Sequence, residues 1–336
     1  MREVYDFEPD AVRNFLREKE VDRVAVQLPS GLRPFVREIV RVYDEVDVEA
    51  LFTAGSCYGS CDLADGEAEE LGCDALIHYG HADMGIPTAL PTLYVEARVE
   101  VEPFEALDRA LPELEGSSWG LTATVQHVGF LEEVRKFLGE RGIEAVIGDP
   151  GSRCGYPGQI LGCDWGSARS VAGEVDGILY IGTGRFHPIG LALATRSRVV
   201  SVDPVSGGHE VVDPGREKFL RRRYAAVARA ESGESFGVIV STKAGQNRMN
   251  LAERLAGELE DSGYEADVLV TDEVGPELLE NYQLDAYVNT ACPRISIDDS
   301  ELYDRPVLTP FEAEVLTGEG EWDEYRLDEI GRNWEG

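Results

Sequence analysis

Lysine is nearly missing from this sequence: Lys19, Lys136, Lys218 and Lys243 are the only four in 336 residues. Lysine and arginine together number 31 against 64 acids, which leaves a formal net charge of −33. A surface that acidic repels phosphate backbones and anionic lipid, so nucleic acid and membranes are poor partners. The acids are spread along the chain instead of gathered in a tail, so they do not mark disorder. A saline cytosol, with its short Debye length, would mute the self-repulsion. Long apolar runs are missing too: no uncharged stretch approaches the roughly 18–20 residues that span a bilayer. The opening Met1–Asp6 has no apolar core and no cleavage pattern, so a cytoplasmic location is expected. Cysteine is scarce. Six residues (57, 61, 73, 154, 163 and 292) cannot staple a chain this long, and in a reducing compartment thiols outside the core point to metal binding or catalysis. There is no Walker loop and no full dinucleotide fingerprint; Gly182-Thr183-Gly184 is too short to count. A nucleotide-driven motor or a simple dehydrogenase is disfavoured.

What is present is an ordinary globular balance, 43% hydrophobic and 28% charged, long enough for two or three domains. Short β-rich runs alternate with helical patterns, the signature of α/β layering with parallel sheets. The strand candidates are Val24–Leu28, Val48–Phe52, Leu76–Tyr79, Leu121–Val125, Ala145–Ile147, Ile178–Ile181, Val199–Val202, Val238–Ser241, Ala266–Val270, Tyr287–Asn289 and Val307–Leu308. Phe35–Asp44, Leu131–Arg141 and Leu251–Ser262 read as covering amphipathic helices.

A threefold repeat underlies this alternation. Gln27-Leu28-Pro29-Ser30-Gly31, Gln126-His127-Val128-Gly129 and Ser241-Thr242-Lys243-Ala244-Gly245 each follow a strand candidate and carry a glycine. Downstream of them, Asp74, Asp176 and Asp285 each open another strand, at glycine-to-aspartate separations of 43, 47 and 40 residues. The expectation is three similar α/β domains: residues 1–113, 114–232 and 233–336. Between the second and third, Pro214–Ala230 reads as a helix carrying Arg216, Lys218, Arg221, Arg222, Arg223 and Arg229. It is either a solvated bridge between domains or a docking face for an acidic partner.

The cysteines fit the repeat. Thirteen residues before the three aspartates stand Cys61, Cys163 and Asp272. The third repeat instead supplies Cys292, seven residues after Asp285, and the same offset in the first repeat is His81. Ligands collect at the carboxyl ends of strands in open α/β sheets, so three domains facing one centre would bring Cys61, Cys163 and Cys292 together. The competing reading is that each is a buried small apolar residue, which suits Cys73 in Leu71-Gly72-Cys73-Asp74. A closed zinc site usually uses near pairs of cysteines, and Cys57 with Cys61 is not such a pair. Iron–sulfur clusters take four thiolates; with three, one iron keeps an open position for a substrate or cofactor.

The wording of the motifs then carries a resemblance. Tyr58-Gly59-Ser60-Cys61-Asp62, Leu71-Gly72-Cys73-Asp74 and His78-Tyr79-Gly80-His81 resemble the archaeal and eukaryotic diphthamide biosynthesis family. So do Leu161-Gly162-Cys163-Asp164, Ser241-Thr242-Lys243-Ala244-Gly245-Gln246 and Ala291-Cys292-Pro293-Arg294, in order and across essentially the whole chain. The resemblance implies three α/β domains in a triangle, a homodimer, and a [4Fe-4S] cluster held by Cys61, Cys163 and Cys292. It implies transfer of the 3-amino-3-carboxypropyl group of S-adenosylmethionine to C2 of a histidine in translation elongation factor 2, driven by an external electron donor. Gln246 and Arg248, at a turn opening a helix, are candidates to hold the cofactor's carboxylate. His78 and His81 suit a supporting role better than ligation. Arg185 or the Arg221–Arg223 stretch is a candidate docking contact for the protein substrate. Quinolinate synthase shares the three-domain, three-cysteine plan and remains a rival, as does a non-catalytic metal or ligand carrier.

Overall fold

The computed structural model describes residues 4–331, apart from the side chains of 213–217, among them that of Arg216. Three sheets share one strand order. In the first, Glu49–Phe52, Arg23–Gln27, Ala75–Tyr79 and Thr92–Val95 lie side by side and all parallel. The second repeats this with Glu144–Ile147, Ser118–Ala123, Gly177–Ile181 and Arg198–Asp203, and adds Gly208–Val211 as an antiparallel edge. The third runs Glu265–Thr271, Ser235–Ser241, Ala286–Asn289 and Val307–Leu308. In chain order each sheet is therefore 2-1-3-4. The central strands are apolar without alternation, as strands covered on both faces must be; every residue of Ala75–Tyr79, Gly177–Ile181 and Ala286–Asn289 is buried. All eleven strand candidates are found, with ends shifted by up to three residues. The sequence reading missed Tyr5–Asp6, Thr92–Val95, Arg98–Val99 and Gly208–Val211, which are short or at sheet edges.

The repeat aspartates have one structural job. Asp74 Oδ2 accepts from the backbone N–H groups of Asp22 and Arg23 at 3.0 and 2.9 Å. Asp176 does the same for Ser117 and Ser118, and Asp285 for Glu234 and Ser235. Each carboxylate thus ties the start of the third strand to the start of the first. Those donors hold all three carboxyls below their ordinary range. The lowered value means that this stabilisation is present at neutral pH and is lost as acid protonates the folded state.

The cores interlock more than the sequence suggests. Helix Phe104–Ala110 lies before residue 114, yet Ala106, Leu107 and Ala110 pack with Trp119 and Leu121 of the second sheet. At the other end, Phe311, Tyr325 and Leu327 pack against Trp165, Ile178 and Leu191, also in the second unit.

The basic helix, Asp213–Ala230, is neither a docking face at Arg223 nor simply solvated there. Arg223 is 3% exposed and forks onto Glu312, which is fully buried. It also donates to the carbonyls of Ser296 and Val307 at 2.6 and 2.8 Å. Its neighbour Arg222 pairs with Glu301, and Arg185 with Glu210. Removing one partner of a buried pair strands the other charge, at a cost of about 3–5 kcal/mol. Arg223→Ala is accordingly expected to lower the unfolding free energy by about that much in urea titrations. A loss under about 1 kcal/mol, the range of an exposed pair, would return Arg223 to the surface.

Candidate metal centre

The strand order places the site. The switch between the first and third strands of each sheet opens a crevice at their carboxyl ends, and the loops there are the repeat's glycine turns. Cys61 and Cys163 lie in equivalent loops, each after a second strand and just before the helices Asp65–Glu70 and Gly166–Ala172. Cys292 caps helix Pro293–Ile297 directly beyond the third strand of the last sheet. The three thiols, one per unit, line a single cavity of about 170 Å³ together with His81, Gln126, His187 and Arg294. Cys57, Cys73 and Cys154 are not among its lining residues. Cys73 packs with Ala25, Ala68 and Leu76, as a small apolar residue would.

The aspartate after each of the first two cysteines builds its loop. Asp62 Oδ2 accepts from the backbone N–H of Tyr58 at 3.1 Å and from Ser56 Oγ at 2.9 Å. Asp164 accepts from the N–H groups of Arg153 and Gly166 at 2.7 and 2.9 Å. The Ser60-Cys61-Asp62 and Gly162-Cys163-Asp164 motifs are thus loop braces as well as thiol carriers.

The third unit closes on the first through Gly245. A Cβ there would stand 2.5 Å from Cys61 Cβ, so only glycine allows the approach. Beside it, Gln246 Nε2 donates to Cys61 Sγ at 3.5 Å. Lys243 reaches Asp62 Oδ1 at 2.7 Å and Ser56 Oγ at 2.6 Å. From the second unit, Arg153 donates to Cys163 Sγ at 3.4 Å and to the Gly245 carbonyl at 2.7 Å. Sequence reasoning missed Arg153, although it precedes Cys154 in the glycine-rich run Gly151-Ser152-Arg153-Cys154-Gly155.

Arg248 sits elsewhere. Its guanidinium forks onto Asp328 and donates to the carbonyls of Thr290 and Ala291. It does not line the cysteine cavity, whereas Gln246 touches one of the sulfurs. The structure brings Cys61, Cys163, Cys292 and Gln246 together and commits Arg248 to fastening the C-terminal segment.

Burial raises the Cys61 thiol above its ordinary range, with Arg153 and then Gln246 pulling the other way. Cys163 is pushed up to about 12 by burial, against Arg153. Burial raises Cys292 as well. These thiols therefore stay protonated until something positively charged displaces the protons, which is how metal-ligating cysteines behave. A single ion at about 2.3 Å from each sulfur would draw the three within roughly 4 Å of one another. The group of His, Cys, Asp and Glu side chains whose ligand atoms all lie within 4.8 Å is a different one among the described residues: Cys57, His78 and His81. Cys61, Cys163 and Cys292 instead ring a cavity, with hydrogen-bond donors on two of the sulfurs. That donor set, three thiols and no fourth, fits an iron–sulfur cluster with one open iron better than a closed mononuclear site.

His81 stands at the cavity wall, with His78 buried behind it. His78 is fully buried, and burial, followed by His81, lowers it well below the ordinary histidine value. Burial, with Arg294 second, takes His81 down to about 4. Both are therefore neutral imidazoles at physiological pH.

A family profile of diphthamide synthesis proteins matches residues 28–326. The 2-(3-amino-3-carboxypropyl)histidine synthase of Pyrococcus horikoshii is 43% identical over 310 residues, covering 92% of this chain and 89% of that protein. Subunit 1 of the same synthase from Schizosaccharomyces pombe is 31% identical, covering 98% of this chain and 78% of its own length. Among solved structures, Dph2 from Pyrococcus horikoshii with a 4Fe-4S cluster superposes with a TM-score of 0.90 at 39% identity, over 98% of this chain and 95% of that one.

Proposed function

The chain belongs to the diphthamide synthesis protein family, and from that premise we propose that it is a 2-(3-amino-3-carboxypropyl)histidine synthase that performs the first step of diphthamide formation on elongation factor 2. The observation that carries this reading is the meeting of Cys61, Cys163 and Cys292, one from each unit, around one cavity. Family membership removes the support for the quinolinate synthase and carrier readings.

These three thiols would hold the [4Fe-4S] cluster. When bound and reduced, the cluster supplies one electron that breaks the Cγ–S bond of S-adenosylmethionine, freeing a 3-amino-3-carboxypropyl radical and methylthioadenosine. The protein's own work is placement. Arg153 and Gln246 aim donors at two of the sulfurs and fix how those ligands face the cavity. Gly245 lets the third unit lie directly against Cys61. Arg294 lines the cavity and Gln246 donates to a sulfur on its wall, and they are the residues we assign to the cofactor's amino-acid end. Arg248 acts one layer out, holding the Thr290–Ala291 turn that leads to Cys292.

Among the described residues no helix is long and apolar enough to cross a membrane, which accords with a cytoplasmic protein substrate. A homodimer and a one-electron donor complete the proposal. The test is anaerobic incubation of the reduced enzyme with S-adenosylmethionine and archaeal elongation factor 2. The expected result is an aminocarboxypropyl mass gain on one histidine of that factor, mapped by peptide mass spectrometry. An unmodified factor, from enzyme with full iron and sulfide, would overturn the reading.

A further inference from the structure

Two backbone groups fix the polarity of a side-chain chain that ends at the cavity. Gln27 Nε2 lies 2.7 Å from the Asp62 carbonyl, which can only accept. Gln27 Oε1 lies 3.2 Å from the backbone N–H of Ala64, which can only donate. The amide therefore cannot be turned over, and Oε1 faces His78 Nδ1 at 2.8 Å. His78 Nδ1 must carry a proton, so its Nε2 carries the lone pair. That Nε2 lies 2.9 Å from His81 Nδ1, which must then be the donor. The remaining lone pair of His81 is on Nε2, across the ring. His81 lines the cavity with Cys61, Cys163 and Cys292, and its Nε2 has no hydrogen-bond partner among the described residues.

We propose that His81 Nε2 is the general base that removes the C2 proton of the target imidazole, with Gln27 and His78 as its positioning residues. The inference rests on the synthase reading above. When the aminocarboxypropyl radical adds to C2, a carbon–carbon bond forms and C2 still carries its hydrogen. Aromaticity returns only when one proton and one electron leave. The C–H electron pair stays with the ring as the proton passes to His81 Nε2, and the unpaired electron leaves to a one-electron acceptor, an oxidised iron–sulfur group. Nothing else is consumed. The repeat supports the placement: His81 follows Asp74 by the same seven residues that separate Cys292 from Asp285, so equivalent strand ends present both side chains to one centre. His187 also lines the cavity. Its ring stacks on Tyr180 with centroids 6.0 Å apart, and no comparable chain of donors sets its tautomer.

The test uses the loaded, anaerobic enzyme and elongation factor 2 whose target histidine is either normal or deuterated at C2. The reading is the ratio of histidine modified to methylthioadenosine released. For His81→Gln that ratio is expected to fall by about 100-fold, the lower range for loss of a general base. Iron, sulfide and the reduced-cluster electron resonance signal should stay at wild-type levels. Deuterium at C2 should slow transfer more in the variant than in the wild type, and imidazole in the buffer should partly restore transfer by His81→Gly. In the apo protein, ¹⁵N shifts should report both His78 and His81 protonated on Nδ1. An unchanged ratio in His81→Gln overturns the inference, as does a fall in His187→Gln alone. Loss of iron in His81→Gln, or stoichiometric zinc bound by Cys57, His78 and His81, would make His81 a ligand and also overturn it. Wild-type enzyme that releases no methylthioadenosine would sink the synthase reading itself, a result distinct from all of these.

Discussion

Alanine at Cys61, Cys163 or Cys292, one at a time, is expected to strip most of the iron and sulfide from the anaerobically reconstituted protein. Transfer to elongation factor 2 should fall by more than about 100-fold, beyond the 10–100-fold typical of losing an outer-shell partner. Each is the one thiol its unit contributes to the cavity lining, so no second sulfur of that unit is placed there to replace it. The fold should survive, because these side chains line a cavity wall and none anchors a central strand; circular dichroism and the thermal midpoint are the controls. Cys57→Ala, Cys73→Ala and Cys154→Ala should keep near wild-type iron. Cys57 and Cys154 are the informative members of that set. They sit four and nine residues before Cys61 and Cys163, in loops that Asp62 and Asp164 brace, and burial raises both thiols. Iron lost from Cys154→Ala and retained by Cys163→Ala would show that the repeat alignment chose the wrong thiol.

The three thiols that meet at the cavity could be picked out of the sequence because the three units repeat a structural need. Asp74, Asp176 and Asp285 must each tie two strand starts together, and that fixed point lets Cys61 and Cys163 be aligned by counting. Cys292 breaks the count and is marked instead by its place just past the strand that follows Asp285. What stayed hidden depends on contacts between units, which no local pattern encodes. Arg153 looks like a surface arginine in a glycine-rich loop until the third unit brings the Gly245 carbonyl to it. Arg248 looks like an anion-binding arginine at a helix start until Asp328, 80 residues later, folds back onto it. Arg223 looks like part of a basic stripe, and only the burial of Glu312 makes it a core residue. The chain Gln27–His78–His81 lies within one unit, yet its polarity depends on the Asp62 carbonyl and the Ala64 N–H, which are known only once the loop is built.

Dithionite reduction in the presence of S-adenosylmethionine is expected to yield methylthioadenosine and a three-carbon amino-acid fragment, even without elongation factor 2. Ordinary radical S-adenosylmethionine enzymes carry their cluster on a compact three-cysteine loop and anchor the cofactor's amino and carboxylate groups on the open iron. That pose puts the C5′–S bond in line and gives 5′-deoxyadenosine. No such loop exists here. The thiols arrive from three separate units: Cys61 and Cys163 from the loops after second strands, and Cys292 from beyond a third strand. The wall between them holds Gln126, His81, His187 and Arg294, so the polar groups that can take the amino-acid end belong to the protein. In the proposed pose, with that end on these residues and not on the iron, the methionine chain's Cγ–S bond would lie beside it, and orientation of this kind decides which bond reacts. Adding elongation factor 2 should divert the fragment onto one histidine without changing the nucleoside product. Chromatography of that nucleoside decides the matter: 5′-deoxyadenosine as the main product, from enzyme with an intact cluster, would mean that the cofactor binds the iron through its amino-acid end and that the three-unit cavity does not set the cleaved bond.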